Sequence, residues 1–78
     1  MLNTEEAKFA QELSARVRTL RLRHALSQQE LADNAELTRS VVANLERGVT
    51  LPRPSTIRKI AQAFGLTLSQ LTTPWPDE

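Results

Sequence analysis

The chain has 78 residues, 40% of them hydrophobic, and contains no cysteine. This length fits one domain, and the composition favours a folded protein over a disordered one. The absence of cysteine excludes disulfides and cysteine-ligated zinc. No apolar run reaches the roughly 20 residues needed to span a bilayer, and residues 1–10 lack the basic-then-apolar order of a secretory signal. We therefore expect a single cytoplasmic domain, spanning 1–78, that contacts no membrane.

The net charge is only +1, but the charges are unevenly distributed along the chain. Residues 13–26 and 37–71 each carry a net charge of +4, whereas residues 1–12 and 27–36 are acidic. A basic second half supplies the positive surface that phosphate binding needs. Arginine is also common on solvated helix faces, so the charge pattern alone leaves both interpretations open.

The first predicted helix lies at about 4–24 and has no strong N-cap residue. It is identified by four apolar residues at helical spacing: Phe9, Leu13, Val17 and Leu20. Three of its arginines are expected on a solvated face, with a phosphate contact by one of them as the alternative: Arg16, Arg18 and Arg23. His24, near the helix end, is expected to interact with the helix dipole rather than to ligate a metal.

Later helices begin with a recurring pattern in which a leucine precedes a serine or threonine. Ser27 with Glu30, and Thr67 with Gln70, are typical capping boxes, whereas Thr38 is a cap without a return partner. The remaining predicted helices are 28–35, 39–47, 55–64 and 68–72, with Gly48 and Gly65 ending the third and fourth. Since no segment alternates with the period of a strand, the sequence predicts an all-α domain.

The link between the second and third predicted helices carries the functional prediction. Only Glu36 and Leu37 separate the second helix from Thr38, the cap of the third. So short a link makes the helices cross steeply, as in a helix-turn-helix, and leaves the third helix projecting from the body. A projecting helix fits a DNA major groove, which is about 12 Å wide.

A helical wheel of residues 39–47 places Val41, Val42 and Leu45 on one side. The other side carries Arg39, Ser40, Ala43, Asn44 and Arg47. Arginine can donate to guanine, asparagine can pair with adenine, serine suits either, and alanine allows close approach or contact with a thymine methyl. We predict that the first four residues of this set read bases, since a merely solvated face typically carries Glu and Lys.

Over residues 17–71 the sequence resembles the Cro/C1-type helix-turn-helix family, also called Xre. The resemblance is carried by residues 26–32, 38–40, 45–48, Pro52 and 56–66. It implies a compact five-helix bundle of the lambda repressor-like DNA-binding type. Residues 1–12 then extend helix one at its N-terminus, and 72–78 form a tail.

The resemblance further implies a homodimer on an inverted-repeat operator in double-stranded DNA, with phosphate contacts from the starts of helices two and three. With two basic residues at and beyond the end of helix three, the predicted phosphate-binding set is Ser27, Gln28, Gln29, Thr38, Arg47 and Arg53. An ion pair between Arg21 and Glu46 is also implied, tying helix one to helix three.

The sequence departs from the family pattern at two turns and one loop. Ala25 and Glu36 stand where the family usually has glycine, and a left-handed conformation would cost either residue about 1 kcal/mol. The loop after Gly48 lacks the usual basic residues, which makes apolar Val49 and Leu51 candidates for dimer contacts.

Two function classes remain after catalysis is set aside. With one histidine, no cysteine and no glycine-rich phosphate loop, we expect neither an enzyme nor a cofactor or metal. The first class is a transcriptional regulator, most simply a repressor. The second is an antitoxin that binds a partner toxin and autoregulates its operon. It is motivated by the acidic N-terminal extension and by Trp75, which either covers the core or contacts a partner.

Overall fold

The computed structural model describes residues 1–72, and within this range it contains five α-helices and no strand. The helices are α1 (Thr4–Arg23), α2 (Gln28–Asn34), α3 (Arg39–Arg47), α4 (Pro54–Ala63) and α5 (Leu68–Thr72). Each boundary lies within one residue of its predicted position, and the all-α prediction is confirmed. Trp75 and its two expected roles lie outside the described residues.

The start of α1 corrects one prediction. Asn3 is the N-cap, and its Oδ1 accepts from the backbone N–H of Glu6 at 2.8 Å. The Asn3 backbone N–H donates in turn to the Glu6 carboxylate at 3.0 Å, completing a capping box. The prediction that α1 has no strong cap was therefore wrong, because an asparagine oxygen caps as well as a serine or threonine hydroxyl.

Each of the four connections between helices contains a residue in the left-handed conformation. In the connection between α3 and α4 this residue is Gly48, and the other three connections share a different pattern. In these three, the φ angles are 55° at Ala25, 57° at Glu36 and 70° at Gly65. Only the third is a glycine, so the first two connections carry a strain that the third avoids. The left-handed conformation that the resemblance implies at these two turns is thus present although neither residue is glycine.

A leucine follows each of these three left-handed residues and closes the turn. Its backbone N–H donates to a carbonyl five residues earlier: Leu26 to Arg21 at 3.0 Å, Leu37 to Ala32 at 2.8 Å, and Leu66 to Ala61 at 2.8 Å. This bond is the mark of the Schellman motif, and each leucine side chain also packs against the core. The residue after each leucine is the N-cap of the following helix. Three consecutive residues, namely the left-handed residue, the leucine and the cap, therefore end one helix and begin the next.

The core is formed by one buried cluster to which all five helices contribute. α1 and α2 both pack against α3, while α4 packs against α5 and α2. The largest fully buried side chains are Leu13, Val17, Leu31, Val42, Ile60 and Leu71. α3 therefore has its inner side fixed by two neighbours and its outer side left clear.

Arg16 is not part of a solvated face, contrary to the prediction. Its side chain is half-buried, and Nη1 donates to the carbonyls of Leu71 at 3.1 Å and Thr72 at 2.9 Å. These are among the terminal carbonyls of α5, which have no partner within the helix. Arg16 therefore ties the end of α5 to α1.

Gly48 is the point at which the end of α3 meets α1. It caps α3 with a φ of 69°, and a Cβ at this position would lie 2.7 Å from Ser14 Oγ and 3.4 Å from Gln11 Cα. Both the backbone conformation and the close approach of α1 therefore favour glycine over any residue with a Cβ. This contact sets the distance between the two helices.

The strain at Ala25 predicts that Ala25→Gly stabilises the protein. The free energy of unfolding should rise by about 0.5–1 kcal/mol, because relief of the left-handed strain exceeds the added freedom of the unfolded chain. Ala15→Gly is the matched control, since Ala15 is an exposed residue inside α1. There the same substitution should cost about 1 kcal/mol. Urea unfolding of the two variants should give opposite signs, and equal signs would contradict the assigned backbone conformation.

Alanine substitution is predicted to destabilise the protein more at Gly48 than at Gly65. Gly65→Ala should cost about 1 kcal/mol, because only its φ of 70° opposes a side chain and no atom lies within 4 Å of the new Cβ. Gly48→Ala should cost at least about 1 kcal/mol more, because the close contact with Ser14 is added. Thermal unfolding of the two variants measures the difference. A Gly48→Ala protein as stable as Gly65→Ala would show that α1 and α3 are not this close.

Candidate nucleic-acid interface

Four predicted base-reading residues lie together on one side of α3. Arg39, Ser40 and Asn44 are exposed and Ala43 is partly exposed, whereas Val42 and Leu45 on the opposite side are buried. Thr38 begins the helix with its Oγ1 accepting from the Val41 backbone N–H at 3.3 Å. We call the four residues Arg39, Ser40, Ala43 and Asn44 the outer face of α3.

An ion pair fixes α3 against α1. Arg21 Nε donates to Glu46 Oε2 at 2.7 Å and Nη2 donates to Oε1 at 3.0 Å, so the pair is bidentate. The two side chains are only 12% and 5% exposed. Hydrogen bonding to Glu46 raises the pKa of Arg21 above its ordinary value, so the arginine remains charged throughout the pH range of a folded protein.

The same two side chains also hold the start of α2. Arg21 Nη1 donates to the carbonyl of Leu26 at 2.8 Å, one residue before the cap of α2. Gln28, the first residue of α2, donates from Nε2 to Glu46 Oε1 at 3.2 Å. The carboxylate of Glu46 thus joins α1, α2 and α3. The link to Gln28 was not foreseen, since a glutamine beside a helix cap carries no sequence signal for a distant partner.

This arrangement also decides the charge of the exposed surface. Glu46 is the only acidic residue between 37 and 71, and Arg21 neutralises it. The exposed side chains of α3 therefore include two cations, Arg39 and Arg47, and no anion. A surface of this sign attracts the phosphates of a nucleic acid.

The predicted phosphate-binding hydroxyls serve as helix caps. Ser27 Oγ accepts from the Glu30 backbone N–H at 3.0 Å, as Thr38 does at the start of α3. A capping hydroxyl uses an oxygen lone pair and keeps its own O–H to donate. Each hydroxyl can therefore cap its helix and donate to a phosphate oxygen at the same time.

The other predicted phosphate ligands are placed differently. Gln28 donates to Glu46, and Gln29 donates from Nε2 to Asp33 Oδ1 at 2.9 Å. Arg53 is exposed at the N-cap of α4, where it makes no side-chain capping bond. Arg47 is exposed at the end of α3, and its Nη1 donates to Asn44 Oδ1 at 3.3 Å. Their roles toward DNA stay predictions.

An open groove runs from the outer face of α3 to the start of α4. Its polar lining includes Asn44, Thr50, Arg53 and Thr56, and its apolar lining includes Leu51. The groove connects a predicted base-reading residue, Asn44, with a predicted phosphate ligand, Arg53. Val49 and Leu51 in the bordering loop are 61% and 40% exposed.

None of the helices in residues 1–72 combines the length and the apolar character that crossing a membrane requires.

Removing one partner of the ion pair is predicted to destabilise the protein. Glu46→Gln should lower the free energy of unfolding by about 2–3 kcal/mol, because the largely buried Arg21 loses its counter-ion. Arg21→Met should have a similar effect. The double substitution Arg21→Met/Glu46→Met should lower the free energy of unfolding by at least about 1 kcal/mol less than the summed effects of Arg21→Met and Glu46→Met measured separately.

Urea unfolding of the four proteins in this cycle measures the coupling. Arg18→Met, which removes an exposed arginine from the same helix, serves as the control and should change stability by less than about 0.5 kcal/mol. Strictly additive single substitutions would contradict a cooperative link between α1 and α3.

Comparison with known proteins identifies the family. The profile of a helix-turn-helix family matches residues 17–71. The competence pilus inhibition repressor of Acinetobacter baylyi is 38% identical over 55 residues, which is 70% of this chain and 50% of that protein. The immunity repressor protein of Bacillus phage phi105 is 36% identical over 56 residues, which is 72% of this chain and 39% of that protein. The chain thus spans half the length or less of these curated relatives.

A solved structure agrees in fold. The crystal structure of the hypothetical transcription factor NHTF from Neisseria superimposes with a TM-score of 0.79 at 33% identity, covering 88% of this chain and 79% of that one. The matched range 17–71 includes α2, α3 and the ion pair between α1 and α3. The chain therefore belongs to the Cro/C1-type helix-turn-helix family of DNA-binding proteins.

Proposed function

We propose that this protein is a sequence-specific transcriptional repressor of the cytoplasm that places α3 in the major groove of an operator. The observation that carries the proposal is the outer face of α3, which is exposed, basic and free of acidic side chains. The ion pair between Arg21 and Glu46 fixes the same helix against α1. Two curated relatives are named as repressors, which supports repression as the outcome of binding.

In this proposal the outer face of α3 reads bases. Arg39 donates to guanine, Ser40 and Asn44 contact base edges, and the small Ala43 allows the helix to approach the groove floor or a thymine methyl. The helix is presented rigidly, because Glu46 and Gly48 fix its end against α1. Rigid presentation favours discrimination between bases, since a misplaced donor finds no partner.

The phosphate backbone is held on both sides of the reading helix. The hydroxyls of Ser27 and Thr38 donate from the starts of α2 and α3, and helix N-termini favour anions. Gln28 and Gln29 add amide donors at the start of α2. Arg47 and Arg53 supply charge at the other end of α3 and across the groove.

Binding as a homodimer fits the dimensions of the domain. Its principal extents are 31 × 31 × 19 Å. Half-sites one turn of DNA apart have centres about 34 Å from each other, so two copies on one side of the duplex lie close enough to touch. The exposed Val49 and Leu51 offer apolar surface for such a contact.

The antitoxin alternative gains no support from the described residues. The N-terminal extension that motivated it forms the first turns of α1, where Ala10 is buried and Phe9 packs against the core. Part of this extension therefore stabilises the domain itself. The other motive, Trp75, lies outside the described residues.

Selection of bound sequences from random DNA tests the proposal. The wild-type protein should recover an inverted repeat, and its affinity should fall steeply with salt. Arg39→Ala should relax the preference at one position of each half-site by about 5- to 100-fold, because a base-edge contact is lost. Arg53→Ala should weaken binding to all sequences without changing their ranking.

Lys8→Ala is the matched charge control, because Lys8 is exposed on α1, outside the proposed interface. It should leave both affinity and ranking nearly unchanged. Recovery of no common sequence by the wild type, or an Arg39→Ala variant with an unaltered ranking, would overturn the assignment of α3 as the reading helix.

A further inference from the structure

We infer that Asn44 and Arg47 act as one two-donor unit that selects guanine, so that Arg47 determines specificity rather than only holding a phosphate. The inference rests on the proposed function and assigns a base to one position of the half-site. It starts from the hydrogen bond between the two side chains, which lie three residues apart on the exposed surface of α3.

The chemistry of this bond fixes the orientation of the asparagine amide. Arg47 Nη1 donates to Asn44 Oδ1 at 3.3 Å. A guanidinium has five N–H donors and no acceptor, so only the carbonyl oxygen of the amide can face it. The remaining polar atom of Asn44 is therefore Nδ2, which donates only and has no partner within residues 1–72.

An asparagine held in this way is poorly suited to adenine. Pairing with adenine requires the amide to donate to N7 and to accept from the N6 amino group. In this protein Arg47 occupies one of the two lone pairs of Oδ1, so an adenine amino group that approaches the other lies beside the positively charged guanidinium, which disfavours it. Cytosine presents an amino group in the major groove as well, so it meets the same conflict.

Guanine matches the two side chains together. Its major-groove edge offers two acceptors, N7 and O6, and no donor. Asn44 contributes an N–H from Nδ2, and Arg47 keeps donors beyond the one given to Asn44. The pair thus presents donors from both side chains, with its acceptor Oδ1 already bound to a cation, whereas Asn44 without Arg47 presents one donor and one unoccupied acceptor.

Arg47 has no acidic side chain on α3 available as an ion-pair partner. The neighbouring carboxylate of Glu46 is already bound by Arg21 and Gln28, and no other acidic residue occurs between 37 and 71. Arg47 therefore has no carboxylate of α3 to turn to, and the amide of Asn44 is its partner on this helix. A contact between Arg47 and a DNA phosphate is the competing role, and the experiment below distinguishes it from a base contact.

Binding-site selection with Arg47→Met provides the test, with Arg53→Met as the matched control. The half-site position read by Asn44 is the one whose preference changes most in Asn44→Ala. At this position the wild type should prefer guanine over adenine by at least about fivefold. Arg47→Met should reduce this ratio to within about twofold or reverse it toward adenine, because the freed carbonyl can accept from N6.

The control should weaken binding to all sequences with the same ranking as the wild type. An Arg47→Met variant that behaves like Arg53→Met would make Arg47 a phosphate contact and overturn the inference. An adenine preference at this position in the wild type would overturn it too. In both cases a recovered inverted repeat would leave the proposed function standing, whereas loss of all sequence preference in the wild type would remove the proposed function itself.

Discussion

The bidentate bond between Arg21 and Glu46 is the interaction on which the geometry of this domain depends. The carboxylate also accepts from Gln28, and the guanidinium also donates to the Leu26 carbonyl, so one pair of side chains meets three helices. A largely buried charge pair is stable only when its hydrogen bonds are well satisfied, and here most of its donors and acceptors have partners. The consequence is that contacts on the buried side of α3 set the position of this helix, and its exposed side is left clear.

The connections show how a small domain achieves the same positioning with few residues. Each of three turns ends one helix with a left-handed residue, inserts a leucine into the core and caps the next helix with a hydroxyl. Two of the left-handed positions are Ala25 and Glu36, where glycine would remove strain. Natural proteins tolerate such small losses when stability exceeds what function requires.

Under the proposed function, structural and binding roles fall on the same atoms. The hydroxyls of Ser27 and Thr38 cap helices with their lone pairs and retain a proton, which the proposal assigns to a phosphate. Glu46 neutralises Arg21 inside the fold, and the same bond removes negative charge from the exposed surface of α3. The proposal therefore implies that a substitution at such a position changes stability and affinity together, and that a control at an exposed position outside the interface separates the two.

The sequence by itself determined the local features of this protein. Caps, leucines and helical periodicity are set by residues within four positions of one another, so the five helices, their order and the exposed side of α3 followed from the printed residues. The Asn3 cap of α1 is a local feature of the same kind, since Asn3 and Glu6 lie three residues apart. The sequence also shows Ala25 and Glu36 at positions where the family usually has glycine, but it does not indicate whether these residues adopt the left-handed conformation.

Only the tertiary structure decided which distant groups meet. Arg16 reaches the end of α5, 55 and 56 residues away, and Gln28 reaches Glu46 across 18 residues. Gly48 is required as much by the approach of Ser14 in α1 as by its own backbone. Such partners depend on how the helices pack, and periodicity along one helix holds no information about the neighbour across the core. For the same reason the full set of residues that fix α3 in place is known only from the fold, while those on its outer face are evident from the sequence.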